Sequence, residues 1–160
     1  MSSLEALYQQ VILDHSKEKH GRTDLADDEM FDPASTARSR QYNPLCGDEV
    51  TLQVTLGEQD VREIAWTGEG CSISQAATSV LHDLVVGKPV EEARSILADY
   101  RTMLRSRGAG TPDEEVLGDA VAFAGVSRHA NRVKCAILGW TAFEDALLRI
   151  EAARPTAKEA

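Results

Sequence analysis

The sequence contains no apolar run near the roughly 20 residues that are needed to span a bilayer. It also lacks a secretory signal, which would have a basic start and an apolar core, because Glu5 and Asp14 interrupt the opening segment. These two absences predict a cytoplasmic protein with no membrane partner.

Basic residues are scarce as well. The 160 residues include 17 Lys and Arg against 26 Asp and Glu, which gives a formal net charge of −9. Affinity for DNA, RNA or anionic lipid depends on attraction to phosphate. The charge balance therefore argues against a nucleic-acid partner, and it is compatible with a basic protein partner.

Cysteine is rare, with three residues at Cys46, Cys71 and Cys135 and no CxxC pair. An odd, small number in a cytosolic chain makes a disulfide framework an unsuitable explanation. Buried apolar thiols, a reactive thiol and a metal site all remain possible. The residues alone leave a shared metal site and three unconnected thiols equally open.

The hydrophobic pattern predicts one α+β domain over residues 1–152, followed by a polar tail at 153–160. Apolar Val50, Leu52, Val54 and Leu56 alternate with polar residues, which is typical of a strand buried on one face. A returning strand at 61–67 completes a hairpin, and a third strand is expected at 35–42. We expect a small antiparallel sheet of two to three strands packed against about five helices.

Helical periodicity predicts helices at 2–17, from Ser72 until Gly87, and at 89–105, 111–124 and 132–152. Ser72 with Gln75 matches a capping box, and Thr111 followed by Pro112 matches an N-cap with proline in the first turn. The first helix is expected to pack through an apolar face. That face comprises Leu4, Leu7, Tyr8, Val11 and Ile12.

The histidines offer little evidence of a metal site. His15 lies at the inner edge of the first helix, where a hydrogen-bonded core histidine is expected. His82 falls opposite the apolar stripe of its helix and is expected to be exposed. His129 could be a spare ligand, although a loop role is favoured.

The segment 43–48 carries the strongest chemical signal, because it places the Cys46 thiol two residues before the Asp48 carboxylate. Cys71 and Cys135 each lie near a predicted helix start, where the helix dipole lowers a thiol pKa. Arg132 and Lys134 place two cations in a first turn that normally prefers anions, and they would suit a cluster of thiolates. Turn formation by Asp48 and simple solvation of both cations remain alternatives.

Four motifs together resemble the U-type iron–sulfur assembly proteins, specifically the SufU branch. They are Tyr8 with residues 11–15, the segment 43–48, the segment 68–74 and the segment 132–136. IscU-type scaffolds carry histidine immediately before the third cysteine, whereas this chain has Lys134. SufU-type chains also have an insertion between the second and third cysteines, and residues 87–125 are long enough to contain it.

The resemblance implies an IscU-like fold and a zinc ion held by Cys46, Asp48, Cys71 and Cys135. It also implies a zinc-dependent sulfurtransferase role, in which Cys46 accepts persulfide sulfur from a SufS-type cysteine desulfurase for the SufBCD machinery. Arg132 matches a family arginine near the metal and is the second candidate catalytic residue. The main alternative is a scaffold on which a [2Fe–2S] cluster is assembled and transferred. A purely structural zinc module is a third hypothesis, and a Cys–His hydrolase is the least favoured.

Overall fold

A computed structural model describes residues 3–26, 30–109 and 111–154 of the chain. Its sheet consists of β1 (Thr36–Asn43), β2 (Asp48–Leu56) and β3 (Val61–Glu69), paired antiparallel in that order. The α-helices in the described ranges are α1 (Ser3–Glu18), α2 (Ser72–Val85), α3 (Val90–Arg105), α4 (Glu114–Leu117) and α5 (Ala130–Ala153). The predicted α+β class, with a small antiparallel sheet and five helices, is confirmed.

The central strand β2 is buried on one face, as its alternating sequence predicts. Its residues alternate strictly between buried and partly exposed positions, and Leu52 pairs with Trp66 of β3. Helix α5 packs across β1 and β2, while α2 packs against β3 and α5. An apolar stripe of α5 is fully buried in this core, and it comprises Ala136, Trp140, Phe143, Leu147 and Ile150.

The segment after α1 covers the outer edge of β3. The Thr23 amide donates to the Trp66 carbonyl at 2.9 Å, and the Trp66 amide donates to the Gly21 carbonyl at 3.1 Å. The indole of Trp66 also donates to the His20 carbonyl at 2.7 Å. Covering the edge satisfies backbone groups that an open edge strand would leave unpaired.

The predicted helix at 111–124 is wrong in its start and its length. The N-cap is Asp113, whose carboxylate accepts from the Glu115 amide at 3.0 Å, so Pro112 lies before the helix. Helix α4 ends after four residues because Gly118 adopts a φ of +49°. The chain continues as 3₁₀ turns over Gly118–Ala124 and Val126–Arg128.

The predicted capping box at Ser72 is also wrong. The N-cap of α2 is Cys71, one residue earlier. Gln75 is buried instead, and its side-chain nitrogen has no hydrogen-bond partner among the described residues. Because Cys71 is the N-cap, Ser72 already lies inside the helix, and a box between Ser72 and Gln75 is not formed.

Two predictions about exposure need correction. Leu4 and Leu7 on α1 are 53% and 58% exposed, so the inner face of α1 consists mainly of Tyr8, Ile12 and the buried His15. The His82 ring is half-buried, because it packs against Gly21. The predicted Ser2 start of α1 and residues 155–160 of the polar tail lie outside the described residues. No helix in the described ranges is long and apolar enough to cross a membrane.

Candidate metal centre

Cys46 lies in the tight turn that joins β1 to β2. Asn43 pairs with Asp48 across the hairpin, and the Gly47 amide donates to the Asn43 carbonyl at 2.8 Å. The Asn43 side chain accepts from the Leu45 amide at 3.1 Å, and Gly47 adopts a φ of +74° that suits glycine. The turn presents Cys46 as an exposed side chain.

Asp48 opens β2 and is the point where the three cysteines meet. Its carboxyl is 1% exposed, and its Oδ2 lies 3.0 Å from the Cys46 Sγ and 3.6 Å from the Cys71 Sγ. Burial by itself would raise the pKa of Asp48. Hydrogen bonds from Cys46, Cys135 and Cys71 outweigh burial and hold this pKa below its usual value.

Cys71 is exposed and caps the start of α2. Its backbone amide donates to Asp48 Oδ1 at 2.9 Å, which ties the helix start to the first residue of β2. Gly70 permits this approach, because a Cβ there would clash with Asp48 Oδ1 and lie 2.7 Å from Ser74 Oγ. Gly70 belongs to the sequence motif at residues 68–74. The structure shows why no side chain fits at this position.

Cys135 is buried, and its Sγ lies 3.7 Å from the Cys46 Sγ. Helix α5 begins at Ala130, so Cys135 belongs to its second turn and its thiol points to the Asn131 carbonyl at 3.7 Å. Burial, followed by hydrogen bonding to Asp48, raises the pKa of the Cys135 thiol. Burial therefore outweighs the lowering of this pKa that the sequence predicts from a helix start.

Three of the four predicted ligands have the spacing of a tetrahedral thiolate-rich site, and Cys71 reaches the group only through Asp48. Ligand atoms of Cys46, Asp48 and Cys135 lie within 4.8 Å of one another, and Cys71 lies against the same carboxylate. With metal–sulfur bonds of about 2.3 Å, a tetrahedral site would have sulfur–sulfur edges of about 3.8 Å. The Cys46–Cys135 separation of 3.7 Å agrees with that edge. Such a donor set suits Zn²⁺ or an iron–sulfur cluster.

The candidate cations near this centre are solvent-exposed. Arg132 and Lys134 lie in the first two turns of α5, and neither side chain makes a hydrogen bond or ion pair with another described residue. His129 is the exposed N-cap of α5 and belongs to no candidate ligand cluster in the described ranges.

The NifU-like N-terminal domain family model matches residues 7–136, a span that contains all three cysteines. The chain belongs to this family. An iron–sulfur cluster assembly scaffold protein IscU from Streptococcus pyogenes serotype M1 is 36% identical to it over 93% of this chain and 87% of the relative. The zinc-dependent sulfurtransferase SufU from Bacillus subtilis (strain 168) is 35% identical over 94% of this chain and 95% of the relative.

A solved structure extends the family likeness to three dimensions. The SufU crystal structure from Fervidobacterium islandicum AW-1, assigned to the SUF system as a cluster assembly scaffold, superposes with a TM-score of 0.71. It shares 32% identity over 91% of this chain and 99% of the solved chain. The resemblance to IscU and SufU proteins is thereby confirmed for nearly the whole NifU-like domain.

Proposed function

We propose that this NifU-like protein is a zinc-dependent sulfur acceptor in iron–sulfur cluster assembly, supplied by a SufS-type cysteine desulfurase. The observation that carries the proposal is the exposed Cys46 thiol, which lies 3.0 Å from the buried Asp48 carboxylate and 3.7 Å from the Cys135 thiol. The Bacillus subtilis relative supports it, since that protein is named a zinc-dependent sulfurtransferase.

The metal ligands in this proposal are Cys46, Asp48, Cys71 and Cys135. When bound, zinc would keep the coordinating thiols deprotonated at neutral pH. Burial raises the pKa of Cys135 and opposes its ionisation, an effect that a bound cation would counter. A structural zinc site seldom includes a carboxylate, so Asp48 favours a centre whose ligands can exchange.

Cys46 is the proposed sulfur acceptor because it is exposed in a four-residue turn, whereas Cys135 is held within a helix. Its thiolate attacks the outer sulfur of the desulfurase persulfide. A sulfur–sulfur bond forms at Cys46, the original sulfur–sulfur bond breaks, and the desulfurase cysteine leaves as a thiolate. One sulfur–sulfur bond replaces another, and the transferred sulfur keeps both its oxidation level and its proton, so no external oxidant or reductant is required.

Arg132 is proposed to stabilise the negative sulfur at Cys46 or to contact the docked desulfurase. Its exposed guanidinium is carried by the same helix as Cys135. The product persulfide would then pass to the SufBCD machinery. The role of Arg132 and the transfer to SufBCD both depend on the proposal that Cys46 accepts sulfur.

The decisive experiment mixes zinc-loaded protein with a SufS-type desulfurase and cysteine. Mass spectrometry of each thiol is expected to find the persulfide on Cys46, and alanine production by the desulfurase is expected to rise. Cys46→Ala is expected to abolish both effects, while Glu91→Gln, which changes an exposed residue of α3, leaves them intact. A fully active Cys46→Ala protein would overturn the assignment.

A [2Fe–2S] scaffold is the second candidate, favoured by the scaffold name of the Streptococcus pyogenes relative. Metal analysis and absorption spectroscopy of protein purified without oxygen separate the two functions. Colourless protein with zinc at the thiol centre supports sulfur transfer. Brown protein with acid-labile sulfide supports the scaffold.

A further inference from the structure

A second group of metal-ligating side chains lies where the end of α1 meets α2. One ligand atom from each of His15, His20 and Asp83 lies within 4.8 Å of the others. None of these residues belongs to the thiol centre, which is formed by Cys46, Asp48, Cys71 and Cys135. With His82, this region holds three of the four histidines of the chain.

The Nε2 atom of each imidazole in this group contacts a carboxylate. The Nε2 of His15 lies 3.0 Å from Asp119 Oδ2, and the Nε2 of His20 lies 3.2 Å from Glu18 Oε2. Metal-binding histidines commonly donate their second ring N–H to a carboxylate in this way, which fixes the ring and its tautomer. The Nδ1 atoms would therefore be the ligand atoms, and a cation would replace the hydrogen bonds that they make with Asp83 and Ser79.

The Nδ1 atoms already face polar groups. His20 Nδ1 lies 2.6 Å from Asp83 Oδ2, and His15 Nδ1 lies 2.8 Å from the Ser79 hydroxyl. Ser79 also accepts from the His20 amide at 2.9 Å, while Trp66 donates to the His20 carbonyl at 2.7 Å. The two rings therefore sit on a backbone that is fixed before any ligand arrives.

We propose that His15, His20 and Asp83 form a second divalent-metal site, distinct from the thiol centre. Two imidazoles and one carboxylate suit borderline cations such as Zn²⁺, Co²⁺ or Ni²⁺. The nearby carboxylates of Glu18 and Asp119 offset the charge of the cation and orient its ligands. Water would complete the coordination, since Asp83 and His20 are partly exposed.

Cobalt titration tests the site independently of the sulfur-acceptor function. A triple variant, Cys46→Ser with Cys71→Ser and Cys135→Ser, removes the thiols, and circular dichroism verifies its fold. One equivalent of Co²⁺ is expected to bind with weak visible d–d absorption and without thiolate-to-cobalt charge transfer. Zinc-loaded wild-type protein is the second test material, in case the triple variant fails to fold, and it is expected to bind one further equivalent.

Matched variants identify the ligands in both backgrounds. His20→Asn and Asp83→Asn are expected to abolish the additional equivalent, and Glu18→Gln to weaken it about 10-fold. His129→Asn makes the same chemical change outside the group and is expected to have no effect. Absence of the additional equivalent, or its persistence in His20→Asn, would overturn the site and leave these contacts as a structural hydrogen-bond network.

Discussion

At the scale of single residues, Asp48 holds the thiol centre together. It contacts the thiols of all three cysteines and also accepts from the backbone amide of Cys71. A buried carboxylate needs such partners, because an unpaired charge in the interior is costly. The position of Asp48 also depends on Gly70, where any side chain would clash with the carboxylate.

Gly70→Ala is expected to weaken zinc binding at the thiol centre. The added methyl group would clash with Asp48 Oδ1 and crowd Ser74, so the carboxylate must move away from the thiols. Overpacking of this kind costs about 1–3 kcal/mol. Competition with a chelator of known affinity measures the change. Gly125→Ala is the control, since a Cβ there meets no atom within 4 Å, and equal affinities in both variants would contradict the prediction.

The three thiols are expected to differ in reactivity once metal is removed. Cys46 and Cys71 are exposed, whereas Cys135 is 7% exposed and burial raises its pKa. Because the thiolate is the nucleophile, iodoacetamide at pH 8 should modify Cys135 last. Peptide mapping after short reaction times gives the order, and early labelling of Cys135 in folded protein would contradict it. In urea all three should react alike.

At the scale of elements, the strands could be predicted more reliably than the helix boundaries. Alternation of apolar and polar residues defines β2, because one buried face imposes a two-residue period. Helix starts depend on which side chain captures the first amides. Asp48, distant in sequence from α2, fixes the start at Cys71, and the φ of Gly118 stops α4 early. The local motifs at Ser72 and Thr111 predict neither the contact between Asp48 and Cys71 nor the φ of Gly118.

The link between β1 and α5 offers a test of how the sheet holds its main helix. The buried Ser39 hydroxyl donates to Asp145 at 2.7 Å, and Arg149 donates to the same carboxylate at 2.9 Å. These contacts, with Ser39 first, hold the pKa of Asp145 below its usual value. Asp145→Asn is expected to lower the free energy of unfolding by about 1 kcal/mol at pH 7.

This stabilisation depends on pH in a defined direction. Because the pKa is lower in the folded state, the contribution is complete above the unfolded carboxyl pKa of about 3.9. It disappears as the pH falls through the folded-state pKa. Urea unfolding of both proteins at pH 7 and near pH 3 measures the difference. Asp99→Asn, an exposed change on α3, is the control, and a gap that widens in acid would contradict the assignment.

At the scale of the whole molecule, the thiol centre joins four structural features, which come from three stretches of the chain far apart in sequence. The turn before β2, the start of β2, the cap of α2 and the second turn of α5 meet there. The residue pattern supplied the candidate ligands and left their convergence open, whereas the family resemblance implied it. The convergence itself requires the packing of α5 and α2 against the sheet. The group at His15, His20 and Asp83 could not be anticipated, because the sequence offered no reason to pair α1 with α2 at those residues.

Because the proposed ligands come from separate elements, zinc should stabilise the whole fold. A ligand that binds only the native state at about 1,000 times its Kd adds about 4 kcal/mol. For a chain of this size, that corresponds to about 8–16 °C in the thermal midpoint. Thermal unfolding followed by circular dichroism, with and without a strong chelator, measures the shift.

The same shift should occur in His20→Asn protein, because the thiol centre does not use His20. Asp48→Ala protein should melt at the lower temperature with or without chelator, since the carboxylate that gathers the thiols is missing. Equal midpoints for zinc-loaded and chelated wild-type protein would contradict a metal centre that spans these elements. A shift lost only in His20→Asn would instead place the stabilising metal between α1 and α2.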